Sequence, residues 1–319
     1  MMLLSLDGPT PLAQGVAERL GEPLAPVEHR PFHDGEHKWR PLEDPRGCDV
    51  FVMTSLHGDD ESSPQDKLVR LLFMLGTLRD HGAGRVTAVL PYLAYARKDL
   101  RTQPFDPLAT QALARWLEAS GVQRLIVLEP HQPGALQNAL RRPLQVVDAW
   151  PAFEAVADDL AAGGQPIVVA SPDTGGVKRA LRWRDALQAR WQRPLGFALV
   201  DKRRSGGLVS PGEWVAGDVQ GATVFLFDDM VSTGATLAHA AAALHRSGAE
   251  RIVGFAAHGL FVGDADAVLA GSHLERLVVT DSVPPFRMPP SAAFASRLQV
   301  VSASALLGRA VAEVHELGR

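Results

Sequence analysis

The chain has 319 residues, with 32 lysines and arginines against 36 aspartates and glutamates, a formal net charge of −4 with histidine neutral. Hydrophobic residues at 46% and charged residues at 21% give a globular balance rather than a disordered one, and the mild negative charge argues against a general nucleic-acid or membrane-surface binder, because counterion release needs a basic face. The single cysteine, Cys48, excludes an internal disulfide and a cysteine-rich zinc site and fits a reducing, cytoplasmic setting.

The length predicts roughly two domains. The opening segment, Met1 to Gly8, is apolar but short, lacks a basic first stretch and reads as a first strand rather than a signal peptide. No segment approaches the ~20 apolar residues that span a bilayer. Further on, β-rich runs at 50–53, 85–90, 124–128, 166–170, 196–200, 223–227 and 251–255 alternate with helical spacing over 65–80, 107–119, 151–162, 175–190, 234–247 and 303–317. In 65–80, Leu68, Leu71, Leu72, Leu75 and Leu78 fall on one stripe. Continuous apolar strands suit parallel sheets covered on both faces, so the pattern predicts an α/β protein with right-handed crossovers. The best break lies near Asp148–Pro151, after a strand-like 144–147, and 283–290 reads as a proline-rich surface loop. Each half reads as a β/α series.

Ligands in such folds sit at the carboxyl ends of strands, and the strongest signal lies there. After 223–227 comes Asp228-Asp229-Met230-Val231-Ser232-Thr233-Gly234-Ala235-Thr236. Backbone N–H groups of 233–236 and the hydroxyls of Ser232, Thr233 and Thr236 can cradle a phosphate at a helix start, and Gly234 and Ala235 allow close approach. Asp228 and Asp229 would repel that phosphate but can accept hydrogen bonds from a sugar diol and hold a cation. A sugar phosphate satisfies both halves. Other patterns are Phe32-His33-Asp34-Gly35-Glu36, Pro91 to Asp99 with Arg97-Lys98 and then Arg101, Glu129-Pro130-His131, Asp173-Thr174-Gly175-Gly176, and Asp201-Lys202-Arg203-Arg204. The glycine-bearing stretch 203–214 has little apolar periodicity and is expected to form a lid over phosphates.

The Asp228–Thr236 motif resembles the ribose-5-phosphate loop of phosphoribosyltransferases. The whole collinear set resembles the ribose-phosphate pyrophosphokinase family. That resemblance implies two phosphoribosyltransferase-like, Rossmann-like domains, each a mainly parallel sheet flanked by helices. The first is expected over 1–149, joined by helix 303–317, and carries the ATP side; the second is expected over 150–302 and carries the ribose-5-phosphate loop. The implied activity is transfer of the diphosphoryl group of ATP to the C1 hydroxyl of ribose 5-phosphate.

By the same resemblance Lys202 and Arg204 are catalytic. Phe32, Asp34, Glu36, Arg97, Lys98, Arg101 and His131 bind ATP. Asp173, Asp228, Asp229, Ser232, Thr233, Gly234, Ala235 and Thr236 bind ribose 5-phosphate, and His131 and Asp173 hold Mg2+. The resemblance further implies a cytoplasmic homo-oligomer, dimer or hexamer, with ATP and ribose 5-phosphate as partners and neither nucleic acid nor membrane. Family members usually have glutamine where Lys98 stands, a basic residue where Leu100 stands and aspartate where Glu129 stands. Those departures keep a catalytically weak regulatory homologue as an alternative, beside a phosphoribosyltransferase that consumes phosphoribosyl pyrophosphate.

Overall fold

The computed structural model describes residues 1–205 and 208–317, with side chains described outside 202–213. It divides into two compact units, one of Met1–Ala149 with Ser302–Arg319 and the other of Trp150–Val301.

The first unit is built on five parallel strands, β1 (Met2–Ser5), β4 (Asp49–Met53), β5 (Arg85–Leu90), β6 (Arg124–Leu128) and β7 (Leu144–Val147), adjacent in that order. Between β1 and β4 lie α1 (Pro11–Leu20) and an antiparallel hairpin, β2 (Val27–Pro31) with β3 (His37–Pro41). Helices α2 (Pro64–Asp80), α3 (Ala109–Ala119) and α4 (Pro133–Ala139) connect the later strands. Residues Val50 to Met53 and Leu125 to Leu128 are all buried, which is why those strands read as unbroken apolar runs.

Helix α2 starts where the chemistry requires. Ser63 Oγ accepts from Asp66 N at 3.2 Å and Asp66 Oδ2 accepts from Ser63 N at 2.8 Å, a reciprocal capping box with Pro64 at the first helical position. Its buried stripe is Leu68, Leu71, Met74, Leu75 and Leu78, with Leu72 at the stripe's half-buried margin. Helix α1, which the periodicity missed, is set by Thr10 Oγ1 accepting from Ala13 N at 3.2 Å and by Gly21 closing the other end at φ 65°.

The last described helix, α9 (Ser304–Glu316), packs on α1. The helices approach closely because Gly15 leaves room: a Cβ there would come within 2.8 Å of Ser304 Cβ. An ionic clasp adds to this. Asp49, at the start of β4, pairs with the Arg85 guanidinium and lies 2.6 Å from His315 Nδ1, while Arg85 also donates to Val314 O at 3.0 Å. All three side chains are mostly buried, so Asp49→Ala strands a cation and is expected to cost about 2–3 kcal/mol, read as a lower midpoint in urea unfolding. A loss within 0.5 kcal/mol, roughly the cost of an ordinary surface change, contradicts the clasp.

The second unit holds seven strands, β10 (Leu208–Ala216), β9 (Gly196–Ser205), β8 (Ile167–Ser171), β11 (Thr223–Val231), β12 (Arg251–Gly259), β13 (Arg276–Thr280) and β14 (Leu298–Val301), in that spatial order. All neighbours are parallel except β9 and β10. Helices α5 (Glu154–Ala161), α6 (Val177–Trp191), α7 (Ala235–Arg246) and α8 (Ala265–Ala270) complete it. Trp183 of α6 is fully buried, with ring centroids 4.8 Å from Phe255, 5.0 Å from Phe227 and 5.8 Å from Phe225. From β8 the chain turns one way to β9 and β10, then returns to β8's other side at β11. The β8–β11 boundary is therefore a topological switch point, where loops diverge and leave a crevice.

Three segments take a more definite form than the sequence predicts. In the stretch 203–214, where little periodicity was expected, the described residues carry an antiparallel ladder: Arg204 pairs with Val209 and Lys202 with Glu213, with a register shift between Val209 and Glu213. That shift breaks the period-two pattern, and Gly206 and Gly207 lie outside the described residues. Strand β11 runs on to Val231, so Asp228 and Asp229 lie within it, ahead of Met230 and Val231, rather than in a loop after it. The proline-rich segment 283–290 is a surface loop with Pro284, Phe286, Pro289 and Pro290 exposed, and it is anchored by buried Val283 and Met288 and by Arg287 Nη1 donating to Leu260 O at 3.0 Å.

Candidate active site

At the switch point two loops leave neighbouring strands. The first follows β8. Ser171 Oγ donates to Asp173 O at 2.6 Å, and Asp173 Oδ1 accepts from Gly176 N at 3.0 Å, closing a tight turn that opens α6. A Cβ at Gly176 would lie 2.8 Å from Ser171 Oγ, so a larger residue there would displace the hydroxyl that closes the turn. Asp173 itself is exposed.

The second loop follows β11. Val231 O accepts from Leu260 N at 2.9 Å, and Ser232 O accepts from Val262 N at 2.9 Å, tying the loop to the segment after β12. Gly234 has φ 78° and begins α7, whose start has no side-chain cap. Ala235 and Thr236 form the first helical residues; Ser232 and Thr236 are half-buried and Thr233 is exposed. An uncapped start of a twelve-residue helix carries partial positive charge and N–H donors, which suits an anion.

Between the loops lie two buried carboxylates. Asp228 is 8% exposed and Asp229 3%. Asp229 N donates to Asp228 Oδ1 at 2.9 Å. Burial pushes the Asp228 carboxyl well above its usual range; the charge of Asp229 adds to this, Arg179 opposes it, and Asp173 is near enough to add a little more. Below that raised pKa, Asp228 gains a proton, loses its charge and ceases to be a pure acceptor. If Asp228 accepts from the hydroxyls of a bound sugar phosphate, as the sequence resemblance implies, kcat/KM for that substrate is expected to fall as pH drops through a value above the ordinary aspartate range, and Asp228→Asn should flatten that limb of the profile. An acid limb unchanged in the variant contradicts that role.

Sequence reasoning missed Arg179. It is 8% exposed, and its Nη1 lies 3.9 Å from Asp228 Oδ1 and 3.6 Å from Asp229 Oδ1. The available signal was a basic residue three places after Gly176, one helical step into α6.

In the first unit the remaining residues lie on the hairpin tip and on loops after neighbouring strands. Phe32, Asp34 and Glu36 sit together on the exposed β2–β3 turn, where Phe32 N donates to Glu36 O at 2.8 Å and Asp34 Oδ1 accepts from Glu36 N at 3.1 Å. Arg97 and Arg101 are exposed on the loop after β5. Lys98 differs: its ammonium pairs with Asp106 and donates to Thr102 Oγ1 at 2.9 Å, so it braces its own loop. The Lys98 ammonium, with backbone N–H groups of Thr102 and Gln103, holds the Asp106 carboxyl far below its usual range.

His131 follows β6, half-buried, next in the sheet to the β5 loop. Glu129, the departure from the family pattern, is buried, has φ 37°, and accepts from Ala149 N at 2.7 Å. It anchors the end of the unit. Lys202 and Arg204 fall on β9 by backbone register, and their side chains lie outside the described residues.

Among the described residues no cluster of three or more His, Cys, Asp or Glu is arranged as a metal cage. Magnesium does not need one, since it keeps waters and takes one or two carboxylates plus substrate phosphates. The exposed carboxylate of Asp173, beside a glycine turn suited to phosphate, fits that mode.

Comparison with known proteins settles the family. Residues 1–121 match the N-terminal domain of ribose phosphate pyrophosphokinase, 146–258 a phosphoribosyl transferase domain and 208–318 a phosphoribosyl synthetase-associated domain. The ribose-phosphate pyrophosphokinase of Brucella melitensis is 37% identical over 306 residues, covering 94% of this chain and 92% of that protein. That of Hyphomonas neptunium is 34% identical, covering 98% and 96%. The chain belongs to the ribose-phosphate pyrophosphokinase family. The crystal structure of phosphoribosylpyrophosphate synthetase from Mycobacterium smegmatis superposes with a TM-score of 0.85 at 30% identity, covering 99% of this chain and 98% of that one. A full-length match of this kind supports the family's α/β architecture in both units. Among the described residues no helix is long and apolar enough to cross a membrane.

Proposed function

We propose that the protein is a ribose-phosphate diphosphokinase, moving the β,γ-diphosphoryl group of ATP to the C1 hydroxyl of ribose 5-phosphate to yield phosphoribosyl pyrophosphate and AMP. The observation that carries the reading is the switch-point site: an uncapped helix start and a glycine turn, both suited to phosphate, flank two buried carboxylates suited to a diol. The 5-phosphate rests on Ser232 to Thr236. The 2- and 3-hydroxyls donate to Asp228 and Asp229. The turn at Asp173–Gly176 offers N–H groups to the diphosphate.

Phe32, Asp34 and Glu36 recognise adenine by stacking and by accepting from its exocyclic amine. Arg97, Arg101 and His131 take the nucleotide phosphates, with Lys98 supporting the loop. The C1 oxygen attacks the β-phosphorus in line and AMP leaves, so positioning and charge neutralisation supply most of the rate. Lys202 and Arg204 spread the charge that develops on the transferred group. Asp173 and His131 would hold Mg2+, which when bound would supply charge neutralisation to the polyphosphate. A cytoplasmic homo-oligomer, dimer or hexamer, accompanies this reading.

The test is incubation of the purified chain with ATP and Mg2+, with and without ribose 5-phosphate, resolving the nucleotides. AMP formed only with the sugar phosphate supports the reading. ADP as the product, or AMP independent of the sugar, overturns it. Exchange of nitrogenous bases on phosphoribosyl pyrophosphate would instead identify a phosphoribosyltransferase.

A further inference from the structure

We propose that Arg179 is a positioning residue that aims Asp228 and Asp229 jointly at the sugar's cis-diol, and so sets a preference for ribose 5-phosphate over 2-deoxyribose 5-phosphate. This rests on the reading of the sugar-phosphate site above.

Consecutive residues of a strand direct their side chains to opposite faces, so adjacent aspartates ordinarily diverge. Here both Oδ1 atoms come within 4 Å of one guanidinium nitrogen, at 3.9 and 3.6 Å, and the intervening backbone N–H of Asp229 binds Asp228 Oδ1 at 2.9 Å. One planar cation thus holds two carboxylates that would otherwise repel each other. The three side chains are 12% exposed or less, where such forces are weakly screened.

Arg179 also lies under the first phosphate loop. A Cβ at Gly176 would sit 3.7 Å from Arg179 Nη1 and 3.9 Å from Asp173 Oδ1, so the guanidinium links the glycine turn to the acid pair. Its Nη1 sits at ion-pair rather than hydrogen-bond distance from both Oδ1 atoms, and a carboxylate, with about four acceptor positions, can still accept from a hydroxyl. A site that hydrogen-bonds a hydroxyl rejects the analogue lacking it, because a buried acceptor is left unpaired. That discrimination depends on both acids being held at once.

The experiment uses the full chain and the variants Arg179→Met and Arg179→Lys. It measures kcat and KM with ribose 5-phosphate, 2-deoxyribose 5-phosphate and ATP, alongside thermal unfolding. Arg179→Met is expected to raise the ribose 5-phosphate KM about 10- to 100-fold, leave the ATP KM within about twofold, and lower the ribose-to-deoxyribose ratio of kcat/KM about tenfold. Arg179→Lys should recover part of both losses. An unchanged ratio in a folded variant overturns the proposal, as does a fall in kcat with every KM unaltered. If Arg179→Met does not fold, Arg179→Lys carries the comparison.

If the wild-type chain forms no AMP, calorimetric titration with the two sugar phosphates separates the claims. Discrimination that Arg179→Lys weakens sustains the positioning role while the transfer reading falls. Equal binding of both sugars, or of neither, by the wild type sinks the positioning role.

Discussion

Gly234→Val is expected to raise the KM for ribose 5-phosphate at least about a hundredfold, the loss anticipated when several charge-assisted phosphate bonds go together. Gly234 stands at φ 78°, a left-handed backbone that a β-branched residue adopts only under strain. A Cβ there would also lie 2.9 Å from Leu269 Cγ, and Leu269 is fully buried on α8. The loop must then move, and the N–H groups at the start of α7 with it. The crowding should cost about 1–3 kcal/mol of stability as well. Titration of ribose 5-phosphate by calorimetry, beside a urea unfolding curve, checks both effects. Gly234→Ala, smaller and unbranched, should show the same signs at reduced size. Wild-type affinity in Gly234→Val would show that this loop does not hold the phosphate.

The second large effect concerns turnover. Lys202→Ala is expected to lower kcat about a thousandfold while changing the KM values for ATP and ribose 5-phosphate only a few-fold. A cation that meets charge formed in the transition state contributes little to ground-state binding. Its backbone sits opposite Glu213 in the β9–β10 ladder, so removal of the side chain leaves the strand pairing in place. Steady-state kinetics with each substrate varied decides the matter. A loss of ribose 5-phosphate affinity with kcat intact would make Lys202 a binding residue instead.

How much of this could be read from the chain depends on the kind of signal. Strands such as Val50–Met53 and Leu125–Leu128 were legible because burial on both faces demands an unbroken apolar run. The Asp228–Thr236 loop was legible because anion binding constrains residue type at consecutive positions. The hairpin β2–β3 was not, since its exposed residues, among them Arg30, Lys38 and Arg40, carry no core pattern. Short helices such as α4 and α8 offer too few turns for a stripe. Arg179 escaped because its meaning is spatial: only the parallel pairing of β8 with β11 brings the start of α6 beside two acids some fifty places later. Glu129 looked like a departure from the family pattern two places before a ligand position, and its bond to Ala149 N accounts for the buried carboxylate.

The last described helix completes the first unit. Helix α9 covers α1, β6 and β7, yet it leaves the ribosome after every residue of the second unit. The second unit, spanning Trp150–Val301, is an uninterrupted stretch and has all its strands before α9 emerges. During translation the amino-terminal sheet is therefore made first and its covering helix last, so the surface reserved for α9 stays uncovered while the whole second unit is synthesised, an interval in which a nascent chain needs protection from aggregation.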